Sequence, residues 1–287
     1  MNGKHSGRAL AALLALVLTT SATSQAQAAP AGSGVVDRVV DGDTIVMTID
    51  GASEKVRFLN VDTPEVGRCM AGDATKYTQR QVPVAAEAAL TYDRDLRDDY
   101  GRLLAMVTGT DGRWVSVGLA ESGLGFPMSV RPNSTHYDAV VGAAGRAKRA
   151  RVGMFSPTRS CTPIARATRA ERMANEAARM PVRNRAQFRA VNRRLDAALG
   201  AIALVAASQY RIKSPWFSSY LRSLSSPVRK RVATVRGAKL RQWNAVRNND
   251  DDSDDDGGSN GWWPPGVPHN YNGPRCYQPG GVVWYPC

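Results

Sequence analysis

Two Asp-Gly pairs, Asp41-Gly42 and Asp50-Gly51, constrain this chain more than anything else in it, because each stands between runs of apolar and β-branched residues. The runs cover residues 35–40, 45–49 and 54–61. Asp and Gly accept the left-handed conformations of a tight turn, whose twist matches that of the strands it joins. Three consecutive antiparallel strands are therefore expected over 35–61. Further on, residues 73–81 read as a short helix ended by Pro83, and 103–107 as a strand. Residues 114–122 and 137–150 read as helices, with Gly123 and Gly153 as their C-terminal stops.

The chemistry concentrates at 57–65, Arg-Phe-Leu-Asn-Val-Asp-Thr-Pro-Glu. If the third strand alternates regularly, Arg57, Leu59 and Val61 share one face and Phe58 and Asn60 the other. Pro64 ends the ladder, since it has no N–H to donate and holds Thr63 extended. Asp62 and Glu65 then lie where the backbone leaves the sheet. Gathering an arginine and two acids there costs desolvation unless they bind something. The tetrapeptide Asp41-Gly42-Asp43-Thr44 on its own reads simply as a turn. Yet Asp43 begins the second strand and Asp62 ends the third, and antiparallel neighbours would bring them together. Two carboxylates with a carbonyl nearby suit a hard cation, calcium or magnesium. Asp99-Tyr100-Gly101-Arg102 adds a second arginine before the strand at 103–107. Two arginines, two metal-binding acids and one spare acid form a phosphoryl-transfer set. The cation and guanidiniums offset charge building on phosphorus, and the spare acid activates water.

These segments, in this order and with Gly-Leu-Ala-Glu-Ser-Gly at 118–123, resemble the staphylococcal nuclease (thermonuclease) family over about residues 35–155. The resemblance implies an α+β fold, a five-stranded β-barrel of the oligonucleotide-binding (OB) type with three helices. It makes 84–92 a strand, although the four alanines there favour helix. It implies calcium (Ca2+) held by Asp43, Asp62 and the Thr63 carbonyl, with Glu65 as general base. Arg57 and Arg102 would sit on the phosphate and Tyr100 beside the nucleotide, with DNA and RNA as substrates and 3′-phosphate products. One departure stands out. The family's type member places two tyrosines over the base just before Pro-Asn-x-Thr-His. Here Pro132 to His136 follows Met128, Ser129, Val130 and Arg131. Each base–aromatic stack contributes roughly 1–3 kcal/mol, so the loss touches substrate affinity and not the chemistry. His136 lies outside the motif set and reads as a polar surface residue. With three histidines in all, one of them His5, a histidine-based nuclease or zinc hydrolase is poorly supported.

Residues 1–28 read as a signal peptide. Lys4 and Arg8 precede an apolar stretch at 9–18 that is too short to span a bilayer, and Ala26-Gln27-Ala28 is a small-x-small cleavage site. The alternative is an uncleaved anchor. Export from a bacterium, to the medium or the envelope, suits calcium, which is plentiful outside cells. Four cysteines in an exported chain suggest two disulfides. Three pairings are possible, and Cys69 with Cys161 and Cys276 with Cys287 is the simplest. No Cys-x-x-Cys pair points to metal ligation.

The formal net charge of +13 does not come from the nuclease-like part, where residues 35–162 hold sixteen Lys and Arg against sixteen Asp and Glu. It comes from 163–247, where nineteen basic residues face only Glu171, Glu176 and Asp196, a net of +16. There, 164–205 reads as one helix, and its apolar stretch at 195–207 is too short for a membrane span. A second basic helix is expected at 227–247, with Val228, Val232, Val235 and Leu240 at helical spacing. Its arginines are either simply solvated or bind an anionic polymer, nucleic acid or cell surface. Residues 248–260 read as an acidic linker with six aspartates. Asp252 to Gly257 matches half a calcium loop, but Trp263 stands where its closing Glu belongs. The Pro/Gly/aromatic tail at 261–287 needs its disulfide to hold a shape, and could offer an aromatic surface to wall or carbohydrate. The expectation is a monomeric, exported, calcium-dependent nuclease with no transmembrane span in its mature chain: signal peptide 1–28, nuclease-like barrel 35–162, basic all-α segment 163–247, linker 248–260 and disulfide-closed tail 261–287. The rivals are a nuclease-like binding module without catalysis and a structural envelope protein.

Overall fold

A computed structural model describes residues 31–253, 273–277 and 284–287, with Met1 and Val267. The signal peptide at 1–28, most of the acidic linker and much of the tail lie outside the described residues.

The first three strands are β1 (Ala31–Val39), β2 (Thr44–Ile49) and β3 (Ala52–Phe58), antiparallel in sequence order. Asp50 and Gly51, at φ 50° and 80°, make the tight turn between β2 and β3. The expected run to 61 breaks earlier. Asn60 turns left-handed at φ 60°, and its buried amide donates to the Asn133 carbonyl at 2.9 Å. The alternation of Arg57, Leu59 and Val61 therefore fails, and Phe58, Leu59 and Val61 are all buried. The chain re-forms as β4 (Val61–Asp62), followed by α1 (Ala71–Gln81), β5 (Glu87–Thr91), β6 (Leu103–Val107), α2 (Val115–Glu121), β7 (Phe126–Pro127) and α3 (Tyr137–Ala150).

The barrel closes in the order β1-β2-β3-β6-β5, with β3 and β6 parallel. The strand expected over 84–92 shortens to β5, because Ala85 turns left-handed at φ 65°. Four residues before the expected start at Val35 matter here: Ala31 to Gly34, with Val35, pair with Thr91 to Glu87 and seal the barrel. Its interior is filled by Ile45, Met47, Val56, Phe58, Leu90 and Val107, with Leu119 of α2 and Val140 of α3 as lids. Gly123 follows α2 in the left-handed conformation expected of a stop. Arg151, not Gly153, takes that role for α3, at φ 56°.

Residues 164–205 form two helices, not one. Pro181 has no N–H to continue the ladder, so α4 (Pro163–Arg179) ends and α5 (Arg185–Ala203) starts afresh. Asn184 caps α5 by accepting the Gln187 N–H at 2.9 Å. A single turn, α6 (Ala207–Tyr210), leads into α7 (Pro215–Ser253). α7 begins at Pro215 and carries Pro227 inside it, so the expected start at 227 is corrected. Ser214 sets the true start, its Oγ accepting the Phe217 N–H at 3.1 Å. The first residues of the expected linker, to Ser253, continue this helix, since propagation adds one hydrogen bond per residue fixed.

The helical segment is not a free appendage. One core joins Phe126, Ala147, Met154 and Phe155 of the barrel side to Ala170, Ile202, Tyr210, Ile212, Phe217 and Tyr220. A second core holds the helices to one another through Val191, Leu195, Val232 and Val235. The Cys69–Cys161 disulfide ties the turn after Glu65 to the entry of α4. In the tail, β8 (Arg275–Tyr277) and β9 (Trp284–Pro286) pair antiparallel, and Cys276–Cys287 closes them. Among the described residues no helix is long and apolar enough to cross a membrane.

Candidate active site

The loop between β1 and β2 is pressed into place from outside the barrel. A Cβ on Gly42 would lie 2.8 Å from both Ala74 Cβ and Thr63 Oγ1, so only glycine allows this approach. The Gly42 carbonyl accepts the buried Thr78 hydroxyl of α1 at 2.6 Å. Asp41 Oδ1 accepts the Asp43 N–H at 3.1 Å, which turns the Asp43 carboxylate inward. From the other side, β4 leaves the barrel to pair with β7, Asp62 opposite Phe126. This pairing carries Asp62 beneath the same loop.

Arg57, at the end of β3, joins the two acids. Its Nη1 lies 3.0 Å from Asp43 Oδ1 and its Nη2 lies 2.9 Å from Asp62 Oδ1. Nη1 also donates to the Val61 carbonyl at 2.9 Å. Asp43 Oδ2 accepts both the N–H and the hydroxyl of Thr63 at 2.7 Å. Asp62 Oδ2 accepts a hydrogen bond from the backbone N–H of Lys213, 2.6 Å away and 151 residues later. Asp43 and Asp62 are 5% and 7% exposed, so their charge is carried in a poorly solvated place. Burial pushes the Asp62 carboxyl up to about 6, against the pull of Arg57 and with a further push from Asp43. Asp41 is likewise raised, by burial and then by the Asp43 charge.

This arrangement opens onto a cleft of about 550 Å³, lined among others by Arg57, Asp62, Glu65, Tyr100, Arg102 and Lys213. Glu65 is exposed on its wall. In the same lining, Arg102 grips Asp98 through Nη2 at 2.6 Å and lies 5.4 Å over the Tyr100 ring, which is 81% exposed. Burial pushes Asp98 up, but the hydrogen bonds from Arg102 outweigh it and hold the carboxyl below its ordinary range. Met128, Val130 and Arg131 form the stretch of wall where tyrosines are missing.

All seven residues singled out from the sequence for catalysis, metal or nucleotide thus lie in or beside one cleft. Two neighbours were not singled out for it. Asp41 stood in a visible motif but read as a turn residue. Lys213 carried no local signal at all. His136 is corrected: it is half-buried at the start of α3, its ring 4.6 Å from that of Trp114.

The donors fit a hard cation. Asp43 and Asp62 share one guanidinium, with the half-buried Asp41 next to Asp43, so negative charge exceeds positive there, and every candidate ligand atom is oxygen. Among the described residues no three His, Cys, Asp or Glu side chains form a cage, so further ligands would be carbonyl, water or substrate oxygens.

Residues 55–157 match the family model of staphylococcal nuclease homologues. The chain is 36% identical over 114 residues to a thermonuclease of Staphylococcus intermedius, covering 36% of this chain and 64% of that protein. It is 31% identical over 127 residues to the thermonuclease of Staphylococcus hyicus, covering 42% of this chain and 74% of that protein. It is 34% identical over 128 residues to the SPbeta prophage-derived endonuclease YokF of Bacillus subtilis (strain 168), covering 42% of this chain and 43% of that protein. The chain thus spans between less than half and about three quarters of the length of these relatives.

Proposed function

The chain belongs to the staphylococcal nuclease family, and on that premise we propose that it is an exported, calcium-dependent nuclease that hydrolyses phosphodiester bonds of DNA and RNA. The observation that carries this reading is the pairing of a buried acid cluster on Arg57 with an exposed acid, Glu65, and a second arginine across one open cleft. Asp43 and Asp62, with the Thr63 carbonyl, would hold calcium, which supplies positive charge to the phosphate oxygens when bound.

Glu65 is the proton acceptor for the attacking water. It is solvent-exposed and outside the Arg57 ion pairs, so its carboxylate is open to a water in the cleft. Arg57 fixes both acids and adds its charge from below. Arg102, in the same cleft lining, adds a second positive charge and is held in orientation by Asp98. The exposed Tyr100 ring offers a face for a base. Export is supported by the cysteine pairing, which suits an oxidising compartment. The basic face of α4, α5 and α7 supports contact with an anionic polymer, nucleic acid or envelope.

The test is turnover of single- and double-stranded DNA and of RNA by the full chain, in calcium and in chelator. Glu65→Gln keeps the shape and removes the proton acceptor, so the rate should fall about 10²–10⁴-fold with binding retained. Activity within threefold of wild type would remove Glu65 as the base. Tight binding of nucleic acid with no cleavage in any divalent cation would favour the binding-module reading.

A further inference from the structure

We propose that Lys213, supplied by the helical segment, is a substrate-binding residue of the nuclease cleft and contacts a phosphate of the nucleic acid next to the one cleaved; this rests on the nuclease reading above. The backbone around Lys213 is fixed to the site at three successive residues. Ile212 is buried in the core shared by barrel and helices. The Lys213 N–H donates to Asp62 Oδ2 at 2.6 Å. Ser214 is fully buried and donates through Oγ to the Pro127 carbonyl of β7 at 2.5 Å. One residue before them, Arg211 takes a left-handed turn at φ 52° that aims the segment at the cleft. With the backbone so held, the Lys213 side chain is exposed and lines the cleft with Glu65, Tyr100 and Arg102.

Charge makes this position useful. Three arginines of the cleft already have acid partners, Arg57 with Asp43 and Asp62, Arg97 with Glu54, and Arg102 with Asp98, while Lys55 and Arg131 of its lining form no ion pair among the described residues. Among the described residues, the Lys213 ammonium has no carboxylate within ion-pair distance. An unpaired ammonium on a rigid loop, beside a site built for phosphoryl transfer, is suited to a phosphate oxygen. It loses no internal partner on binding, and its backbone is already ordered. The wall at 128–131 has no tyrosine to stack a base, so a phosphate contact from Lys213 gives the substrate another hold. The helical segment then belongs to the active site, in contrast to a separate polyanion tether.

Lys213→Ala, Lys213→Arg and Lys76→Ala in the full chain test this. Lys76 is an exposed cation of α1 that does not line the cleft and lies outside the basic helical segment. Two readouts are taken on a short single-stranded DNA: KM and kcat with calcium, and anisotropy Kd with Glu65→Gln as background. Lys213→Ala is expected to raise KM and Kd about five- to tenfold and leave kcat within threefold. The slope of log Kd against log salt should fall by about 0.7, the share of one phosphate contact on a single strand. Lys213→Arg should restore most of the affinity, and Lys76→Ala should change KM less than twofold. Equal effects of Lys213→Ala and Lys76→Ala, or an unchanged salt slope in Lys213→Ala, overturn the proposal. If the wild type binds DNA but cleaves nothing, the nuclease reading fails and the Kd and slope still decide on Lys213. If it neither binds nor cleaves, both readings fall.

Discussion

Replacing Phe217 by alanine is expected to destabilise the barrel as much as the helices. Phe217 is fully buried, and its ring centroid lies 4.1 Å from that of Phe126 on β7. Tyr210 and Tyr220 flank it at 5.7 and 6.1 Å. Phe→Ala in a packed core costs about 3–5 kcal/mol, and the lost aromatic pairs put this site in the upper part of that range. With a urea dependence of about 2–3 kcal/mol per molar, the unfolding midpoint should fall by roughly 1.5–2 M. The decisive measurement is native-state hydrogen exchange by mass spectrometry, which reads β2 and β3 separately from α4 and α5. If barrel and helices are one cooperative unit, peptides from both lose protection by a similar free energy. Helix peptides that lose protection while β2 and β3 keep theirs would refute the shared core as a coupling element. The same packing explains why cutting the chain after Pro163 is a poor test of function: it would bare Phe126 and Phe155 and take away the hydrogen bond to Asp62.

Three further outcomes are expected. Asp43→Asn should weaken calcium binding by calorimetry, and magnesium should support little turnover in the wild type, because it demands octahedral ligands and keeps its waters; equal turnover in the two metals would contradict the assignment. In chelator, Asp62 with a folded pKa of about 6, above its ordinary carboxyl value, holds its proton more tightly in the fold, so this stabilisation is present at pH 4 and lost as pH rises through 6. Melting curves should accordingly show Asp62→Asn gaining on wild type by on the order of 2–3 kcal/mol between pH 4 and 7, and a flat difference would show that Asp62 titrates normally. Finally, a non-reduced digest should yield Cys69 linked to Cys161 and Cys276 to Cys287. Cys69→Ser with Cys161→Ser, opening a sequence separation of 92, should cost about 4–5 kcal/mol in the loop-entropy picture, read by chemical unfolding.

Local sequence determined a great deal of this protein. Asp-Gly pairs between apolar runs located both turns of the β1-β2-β3 meander, although only Asp50-Gly51 is the left-handed tight turn expected and Asp41-Gly42, with no positive φ, sits in the longer loop at 40–43. The spacing of Asp43, Arg57, Asp62 and Glu65 was legible because strand pairing brings near neighbours in the chain together. Other features were written in the sequence but outweighed by a neighbour in space. Asn60 leaves the strand because its amide finds the Asn133 carbonyl, and that partner is 73 residues away. Pro181 and Asn184 marked the break between α4 and α5, although composition alone favoured one long helix. What only the tertiary structure decided is the relation of the two halves. The basic segment read as an appendage because its charge dominates its composition. Those that meet the aromatic rings of the barrel side, Ile212, Phe217 and Tyr220, fall at a loop and one helix start, so no periodicity announces their target. They bury against Phe126 and Phe155, and that burial carries the Lys213 amide onto Asp62. A contact across 151 residues leaves no trace in local pattern, because it depends on two distant surfaces of complementary shape meeting in the folded chain.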